Sequence, residues 1–288
     1  MNDREESSTK RSVIAAGLLA IALLATCGGP PDPRTDDVPT KGHVLILADE
    51  DLRVLVEAER FMFESIYDKA TLDIRYLPEA QLLKEMLNDS VRCTIMTTRP
   101  GGEQDTYFIR RSVKAHTVPI AVDGIAVLVN KDVKLAALSP GAVVEALSTP
   151  GAFSYKGWEL PEEDRPLAAP RAWFVSAGSG VARYLVDSLF GTTGQQKIMA
   201  MTVDSLPALV ERIEQDPLAI GFVSFAAISY LDNPHMKALR GRVKLLPISA
   251  TDTSAAVLPS QSTLADGSYP LRRPVFMVLA EGKSGLGT

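Results

Sequence analysis

Strand-like and helix-like segments alternate along the first third of this sequence. Residues 43–48 form a short apolar run, and residues 50–67 then place apolar side chains at near-helical spacing. Residues 70–76 alternate as a strand does, Pro78 begins a second helical segment, and residues 91–97 form the next strand. Strands and helices in this order imply crossover connections, so the sequence predicts an α/β fold with a mainly parallel sheet.

The same alternation continues through the rest of the chain. An unbroken apolar run at residues 124–130 predicts a strand that is buried on both faces. Further strands are predicted at residues 171–175, 219–224 and 275–279, and a helix is predicted over residues 206–215. We therefore expect two parallel-rich groups of strands, each flanked by helices.

Two such groups of strands predict two lobes joined by a double crossover. The chain is expected to cross between them near residues 119–124 and again near residues 243–250. Lobe 1 then comprises residues 43–118 and 245–288, and lobe 2 comprises residues 119–244. A ligand would bind between the lobes, where strand ends and helix starts converge.

The N-terminal segment has the pattern of a bacterial export signal. Two basic residues precede an apolar run at residues 13–25, and the run closes on the box Leu-Ala-Thr-Cys. The run is too short to span a bilayer, which needs about 20 apolar residues. We expect residues 1–27 to be a lipoprotein signal peptide with lipid on Cys27, and residues 28–42 to be a tether. The alternative is a short membrane anchor that is never cleaved.

This interpretation places the folded part outside the cytoplasm, in the cell envelope, on the periplasmic side of a membrane or at the cell surface. The net charge of −5 and the lack of a basic patch argue against a nucleic-acid partner. If Cys27 carries lipid, Cys93 remains alone, and an internal disulfide is excluded. His43, His116 and His235 are far apart in sequence, so we expect no metal site and no cofactor.

The turn at residues 176–180, Ser-Ala-Gly-Ser-Gly, is the strongest candidate for a binding site. It follows a predicted strand and opens a predicted helix, where free backbone N–H groups favour an anion. Gly178 and Gly180 would let a ligand approach the backbone, and Ser176 and Ser179 supply hydroxyls. The alternative is a plain helix cap. The Gly-x-Ser-x-Gly pattern of a nucleophile elbow is absent from this turn. The sequence has no recognisable nucleophile–base pair, so we do not expect an enzyme.

Polar residues at other strand ends could complete such a site. Thr97, Thr98 and Arg99 offer two hydroxyls and a guanidinium, which suit an oxyanion, although a polar turn is the alternative. The carboxylates at residues 49–51 would repel a fully ionised phosphate. They could cap the following helix, or one of them could accept a hydrogen bond from a protonated ligand oxygen. Asp123 belongs either to a turn or to a hinge that lends a carboxylate to the cleft.

Taken in order, several segments resemble the substrate-binding lipoproteins of phosphate-type ABC transporters, most closely the divergent branch found in Bacteroidetes. They cover nearly the whole chain after the tether. The resembling segments are PIAVDGIAVLVNKD (119–132), YKGWEL (155–160), GSGVARYLVDSLFG (178–191), AIGFVSFAAISYL (219–231) and YPLRRPVFMVL (269–279), together with ADEDLRVLVEAERFMFES and YLPEAQLLKEMLNDS upstream. The resemblance implies a two-lobed periplasmic-binding-protein-like fold of type II that closes on phosphate without chemistry.

The resemblance also implies site residues by position. Thr97, Thr98 and Arg99 match the hydroxyl-bearing loop of the family, while Ser176, Gly178, Ser179 and Gly180 match its Arg-x-x-Ser-Gly-Thr loop. Three departures stand out. Residues 49–51 are Asp-Glu-Asp where the family has a Gly-Ser-Thr type of loop, Val181 replaces a threonine, and the arginine and aspartate before the serine are missing.

The expected function is capture of a small oxyanion, most simply inorganic phosphate, for an ABC transporter. The implied partners are that oxyanion, the transporter permease, and a membrane through the lipid. The alternative is a lipid-anchored sensor or scaffold of the same fold that has lost phosphate binding. The carboxylates at residues 49–51 favour this alternative, while the turn at residues 176–180 and the Thr97-Thr98-Arg99 loop oppose it.

Overall fold

The computed structural model describes residues 38–88, 91–113, 115–148, 171–176, 178–190, 200–280 and 286. The expectations for the signal peptide, for Cys27, for residues 28–37 of the tether and for the YKGWEL segment lie outside these residues. The strands are β1 Gly42–Asp49, β2 Ala70–Leu77, β3 Cys93–Met96, β4 His116–Val129, β5 Arg171–Phe174, β6 Ala200–Thr202, β7 Ala219–Ser224, β8 Lys244–Leu246, β9 Ile248–Ser249, β10 Ala256–Val257 and β11 Arg272–Leu279. The helices are α1 Arg53–Ile66, α2 Glu79–Glu85, α3 Glu103–Arg110, α4 Pro140–Ser148, α5 Gly180–Leu185, α6 Leu206–Gln215, α7 Phe225–Ser229, α8 Pro234–Arg240 and α9 Gln261–Ala265. A 3₁₀ turn at Glu50–Leu52 precedes α1, and a π-helical segment at Val186–Phe190 extends α5.

The long strand β4 joins the two halves of the sheet. Its first part, residues 116–124, pairs antiparallel with β11, and its second part, residues 125–129, pairs antiparallel with β7 and β8. The strand order is β2-β1-β3-β11-β4-β7-β5-β6, with β8 attached to β4. The outer strands are parallel on both sides, in the pairs β1–β2, β1–β3, β5–β6 and β5–β7. The predicted α/β fold with parallel-rich sheets flanked by helices is confirmed.

Separate apolar cores lie on the two sides of this junction. Residues 125–129 of β4 are all buried, as their apolar run predicts. Tyr269 and Leu271 pack into the same core, whereas Val275 packs against β1 and β3. The chain thus rejoins the first strands at β11, later than the predicted second crossing near residues 243–250. The lobe boundaries themselves stay a prediction.

Asp123 and Gly124 do not form a turn. They lie inside β4, where Asp123 is opposite Arg273 and Gly124 is opposite Arg272 of β11. A β-carbon on Gly124 would lie 2.8 Å from Cδ2 of Leu264, so the glycine allows this close packing. The first crossing is therefore made by one uninterrupted strand. Within the described part of the chain, no helix is both long enough and apolar enough to cross a membrane.

Candidate ligand-binding site

A completely buried arginine lies where β4 and β11 change from one half of the sheet to the other. Arg273 is 0% exposed, and its Nε and Nη2 lie 3.0 and 2.9 Å from Oδ2 of Asp123. Its Nη1 lies 3.4 Å from the hydroxyl of Thr97. Asp123 also accepts hydrogen bonds from the hydroxyl of Ser224 at 2.8 Å and from the amide of Ala226 at 3.1 Å. The hydrogen bonds from Nε and Nη1, together with the ion pair at Nη2, orient the guanidinium.

The loop after β3 directs four hydrogen-bond donors at a single side chain. The amides of Thr97 and Thr98 both donate to Oε1 of Glu79 at 2.7 Å. The hydroxyl of Thr97 donates to Oε1, and the hydroxyl of Thr98 donates to Oε2, each at 3.0 Å. Glu79 is the first residue of α2 and is fully buried. Its carboxylate thus occupies the donor set that the sequence assigns to an oxyanion.

The turn at residues 176–180 is held by its own serine and by an acid from the other half. The hydroxyl of Ser179 accepts a hydrogen bond from the amide of Ala182 at 3.2 Å and caps α5, which is one of the two roles that the sequence left open for it. The amide of Val181 donates to Oδ2 of Asp51 at 3.0 Å. The amide of Ala80 in α2 donates to the carbonyl of Gly178 at 3.2 Å. The turn is therefore joined directly to the 3₁₀ turn that follows β1 and to α2.

Gly180 marks the point where three polar side chains converge. A β-carbon at this residue would lie 2.1 Å from Oδ2 of Asp49, 3.0 Å from the hydroxyl of Thr97 and 3.1 Å from Nη1 of Arg273. Only glycine fits here without a shift of these groups. Oδ1 of Asp49 accepts from the amide of Asp51 at 3.1 Å, while the buried Oδ2 has no hydrogen-bond partner among the described residues.

The charges of this cluster are unbalanced, since four carboxylates surround one guanidinium. Burial, and then the charges of Asp51 and Glu79, raise the pKa of Asp49 well above its usual value. Burial raises the pKa of Asp51 to about 6, although Arg273 opposes this shift. Burial by itself lowers the pKa of Arg273, but the carboxylates of Asp123, Asp51, Asp49 and Glu79 outweigh it and raise that pKa. The arginine therefore stays charged, and protons are held most readily by Asp49 and Asp51.

Asp49 and Asp51 act as caps, but neither caps α1, the helix expected from the sequence. Asp49 caps the short 3₁₀ turn before α1, because its carboxylate accepts from the amide of Asp51. Asp51 caps α5, which lies 130 residues away in the sequence. The difference arises because α1 begins at Arg53, after the 3₁₀ turn has already used the first acid.

The structure brings most of the predicted site residues together. Thr97, Thr98, Asp123, Ser179 and Gly180 lie in or beside the buried cluster. Of the others, Gly178 contacts α2 through its carbonyl, Ser176 accepts from the amide of Ser179 at 3.3 Å, and the side chain of Arg99 is exposed. The assignment of all eight as ligand-binding residues stays a prediction.

Two central residues are missing from the sequence-based assignment. Arg273 and Val275 occupy alternate, buried positions of β11. A charged residue at a strand position that faces inward is the sequence feature that could have identified Arg273 as a site residue. It supplies the guanidinium that the turn at residues 176–180 lacks. Glu79 follows Pro78 at a helix start, which gives no sign that its carboxylate is buried. Among the described residues, no three His, Cys, Asp or Glu side chains are grouped to hold a metal ion.

Comparison with known proteins agrees with this architecture. A family model described as a PBP superfamily domain matches residues 41–288. Protein SphX of Synechococcus elongatus is 23% identical over 173 residues, which are 60% of this chain and 48% of SphX. The chain thus spans about half the length of this curated relative.

Solved structures give the same fold at low identity. A protein described as a substrate-binding protein of a phosphate ABC transporter, from Clostridium perfringens with bound phosphate, has a TM-score of 0.63 and 18% identity, over 83% of this chain and 87% of that one. An ABC-type phosphate transport receptor from Vibrio cholerae has a TM-score of 0.56 and 15% identity, over 83% and 87%. The regulatory domain of CcmR from Synechocystis, in complex with 2-PG, has a TM-score of 0.52 and 14% identity, over 85% and 90%. With the family model covering most of its length, the chain belongs to the periplasmic-binding-protein (PBP) superfamily.

Proposed function

We propose that this protein is a lipid-anchored, extracytoplasmic solute-binding protein that captures a small oxyanion, with inorganic phosphate as the first candidate, for an ABC transporter. The observation that carries the proposal is the convergence of donors at the junction of the two halves. Two amides and two hydroxyls of Thr97 and Thr98, the amide of Val181 and the guanidinium of Arg273 lie in one buried cluster. Such donors recognise the oxygens of an anion, and they need no nucleophile.

The relatives support phosphate as the first ligand to test. The Clostridium perfringens protein contains bound phosphate, and the Vibrio cholerae protein is a phosphate transport receptor. The buried oxygen of Asp49 that lacks a partner adds a polar group beside Thr97 and Arg273. Because burial raises the pKa of Asp49, this carboxyl holds a proton readily and can donate it to a phosphate oxygen, and it accepts from a protonated phosphate oxygen when it is ionised.

Calorimetric titration of the full-length chain with phosphate tests the proposal. Thr98→Ala removes one hydroxyl donor, and loss of a hydrogen bond to a charged ligand costs about 1.5–3 kcal/mol. The affinity should therefore fall by up to roughly a hundredfold, since 1.4 kcal/mol is a factor of ten. The hydrogen bond that the same hydroxyl donates to Glu79 without ligand offsets part of this loss. Thr106→Ala is the matched control, because that hydroxyl is exposed on α3 and bonds only the carbonyl of Gly102 in the described structure. An equal affinity in both variants would place the ligand elsewhere.

The membrane anchor rests on the sequence box that ends in Cys27. We expect palmitate to be incorporated into the full-length chain and to be lost in Cys27→Ser. Equal labelling of the two proteins would refute lipidation. The permease partner follows from the transporter role, and it would be tested by co-purification of the lipidated protein with the permease encoded in the same cell.

A second function, a sensor or scaffold that no longer binds phosphate, is favoured by one observation. Glu79 and Asp51 already occupy donors that an oxyanion would need. No measurable binding of phosphate, sulfate or molybdate by the full-length chain would support this second function and contradict the first.

A further inference from the structure

We propose that Glu79 is a built-in competitor of the oxyanion, so that the ligand must displace its carboxylate in order to bind. This inference rests on the proposed function, because it concerns the same donors. The carboxylate receives all four hydrogen bonds from the backbone amides and hydroxyls of Thr97 and Thr98, at 2.7–3.0 Å. No other acceptor is described for these four groups.

The two oxygens of Glu79 take the place that two oxygens of a tetrahedral anion would take. Each amide and each hydroxyl has one hydrogen to donate, so it cannot serve Glu79 and a ligand at full strength together. The charge opposes ligand binding as well, because a buried carboxylate repels an incoming anion in a medium of low dielectric constant. Glu79 is fully buried, so water screens this repulsion poorly.

Glu79, whose carboxylate accepts from the Thr97 and Thr98 donors, also lies next to a contact between the two halves. Glu79 is the first residue of α2, and the next amide, that of Ala80, donates to the carbonyl of Gly178. A β-carbon on Gly178 would lie 3.1 Å from Cβ of Pro78. The start of α2 therefore contacts both the Thr97-Thr98 loop and the turn at residues 176–180. Displacement of Glu79 therefore takes place next to a contact between the two halves.

Glu79→Gln tests the proposal, because it removes the charge and weakens the acceptor while the side-chain size is kept. We expect the full-length variant to bind phosphate at least tenfold more tightly than the wild type in calorimetric titration. Glu103→Gln is the matched control, since Glu103 is likewise the first residue of a helix but is exposed. Its phosphate affinity should equal that of the wild type. Circular dichroism establishes that each variant is folded.

A measurement on the wild type avoids any dependence on the folding of the variant. A carbodiimide and an amine label accessible carboxylates, and Glu79 should be unreactive while it holds four hydrogen bonds in a buried site. Saturating phosphate should make Glu79 reactive, as judged by peptide mass spectrometry. Labelling that stays unchanged by bound phosphate would overturn the displacement.

The outcomes separate the two proposals. Tighter phosphate binding in Glu79→Gln than in a wild type that binds measurably supports both proposals. Phosphate binding by Glu79→Gln alone supports competition but contradicts phosphate capture by the wild type. Equal or weaker binding in Glu79→Gln, beside a wild type that binds phosphate, overturns competition and leaves the proposed function intact. If neither the wild type nor folded Glu79→Gln binds phosphate, the phosphate-binding function fails, and the competition proposal fails with it.

Discussion

Replacing Arg273 by methionine should strongly destabilise the folded protein. The guanidinium is completely buried, and it is paired with Asp123 through two nitrogens at 2.9 and 3.0 Å. Removing one partner of a buried ion pair leaves an uncompensated charge, which costs about 3–5 kcal/mol. Methionine roughly preserves the side-chain volume, so the decrease in unfolding free energy arises more from the lost charge and hydrogen bonds than from a cavity.

Urea denaturation of the full-length chain measures this change, and Arg171→Met is the matched control. Arg171 also pairs with an aspartate, with its Nε 2.9 Å from Oδ2 of Asp216, but about half of its side chain is exposed. Exposed pairs contribute about 0–1 kcal/mol, so the control should lose little stability. A double variant, Arg273→Met with Asp123→Asn, should lose less than the sum of the two single losses, by about 0.5–3 kcal/mol.

The decrease in unfolding free energy caused by Arg273→Met should also depend on pH. Without the guanidinium, the pKa values of the buried Asp49 and Asp51 rise further, because Arg273 lowers both in the wild type. The folded variant then binds more protons near neutral pH than the folded wild type, so its deficit in unfolding free energy should grow from pH 5 to pH 8. A deficit no larger than that of Arg171→Met, and constant over this pH range, would refute the compensating role of Arg273.

Three further outcomes follow from the same cluster. Gly180→Ala should lose about 1–3 kcal/mol of unfolding free energy in urea, since its β-carbon would overlap Oδ2 of Asp49; Gly101→Ala, with open space around it, should lose far less. Ser179→Ala should lose about 1 kcal/mol in the same assay because it removes the cap of α5, and no loss would mean that the cap is not formed. The pKa of Asp51 is raised to about 6 in the folded state, so its contribution is most favourable below about pH 4 and is lost as the pH rises through 6. Asp51→Asn should therefore flatten the stability profile between pH 4 and pH 6, and an unchanged profile would exclude Asp51 as its source.

Much of the fold could be predicted from the sequence because periodicity is a local property. The helix over residues 206–215 and the strand over residues 219–224 occur where the pattern places them. The buried strand was also correct in its essentials, since residues 125–129 are all buried. In each case the spacing of apolar residues within a few positions decides which face is buried.

Of the two alternatives for Asp123-Gly124, a turn or a hinge that lends a carboxylate to the cleft, the structure excludes the turn. Asp and Gly together are typical of a turn when only neighbours in sequence are considered. Here the strand continues through both residues because β11 pairs along its whole length, and because Arg273 neutralises Asp123 from the neighbouring strand. The partner lies 150 residues away, beyond the range of any local pattern.

The sequence by itself determined the α/β class and the positions of the main elements, and it placed Thr97, Thr98 and Ser179 after the ends of strands. Only the tertiary structure decided which charge meets which donor. Arg273 reaches Thr97 across 176 residues, and Asp51 reaches Val181 across 130. Local propensity depends on a residue and its near neighbours, whereas the pairing of buried charges depends on how distant strands pack. That packing places four carboxylates around one arginine. As a result, the carboxylates of Glu79 and Asp51 accept the hydrogen bonds of the donors in the predicted anion site.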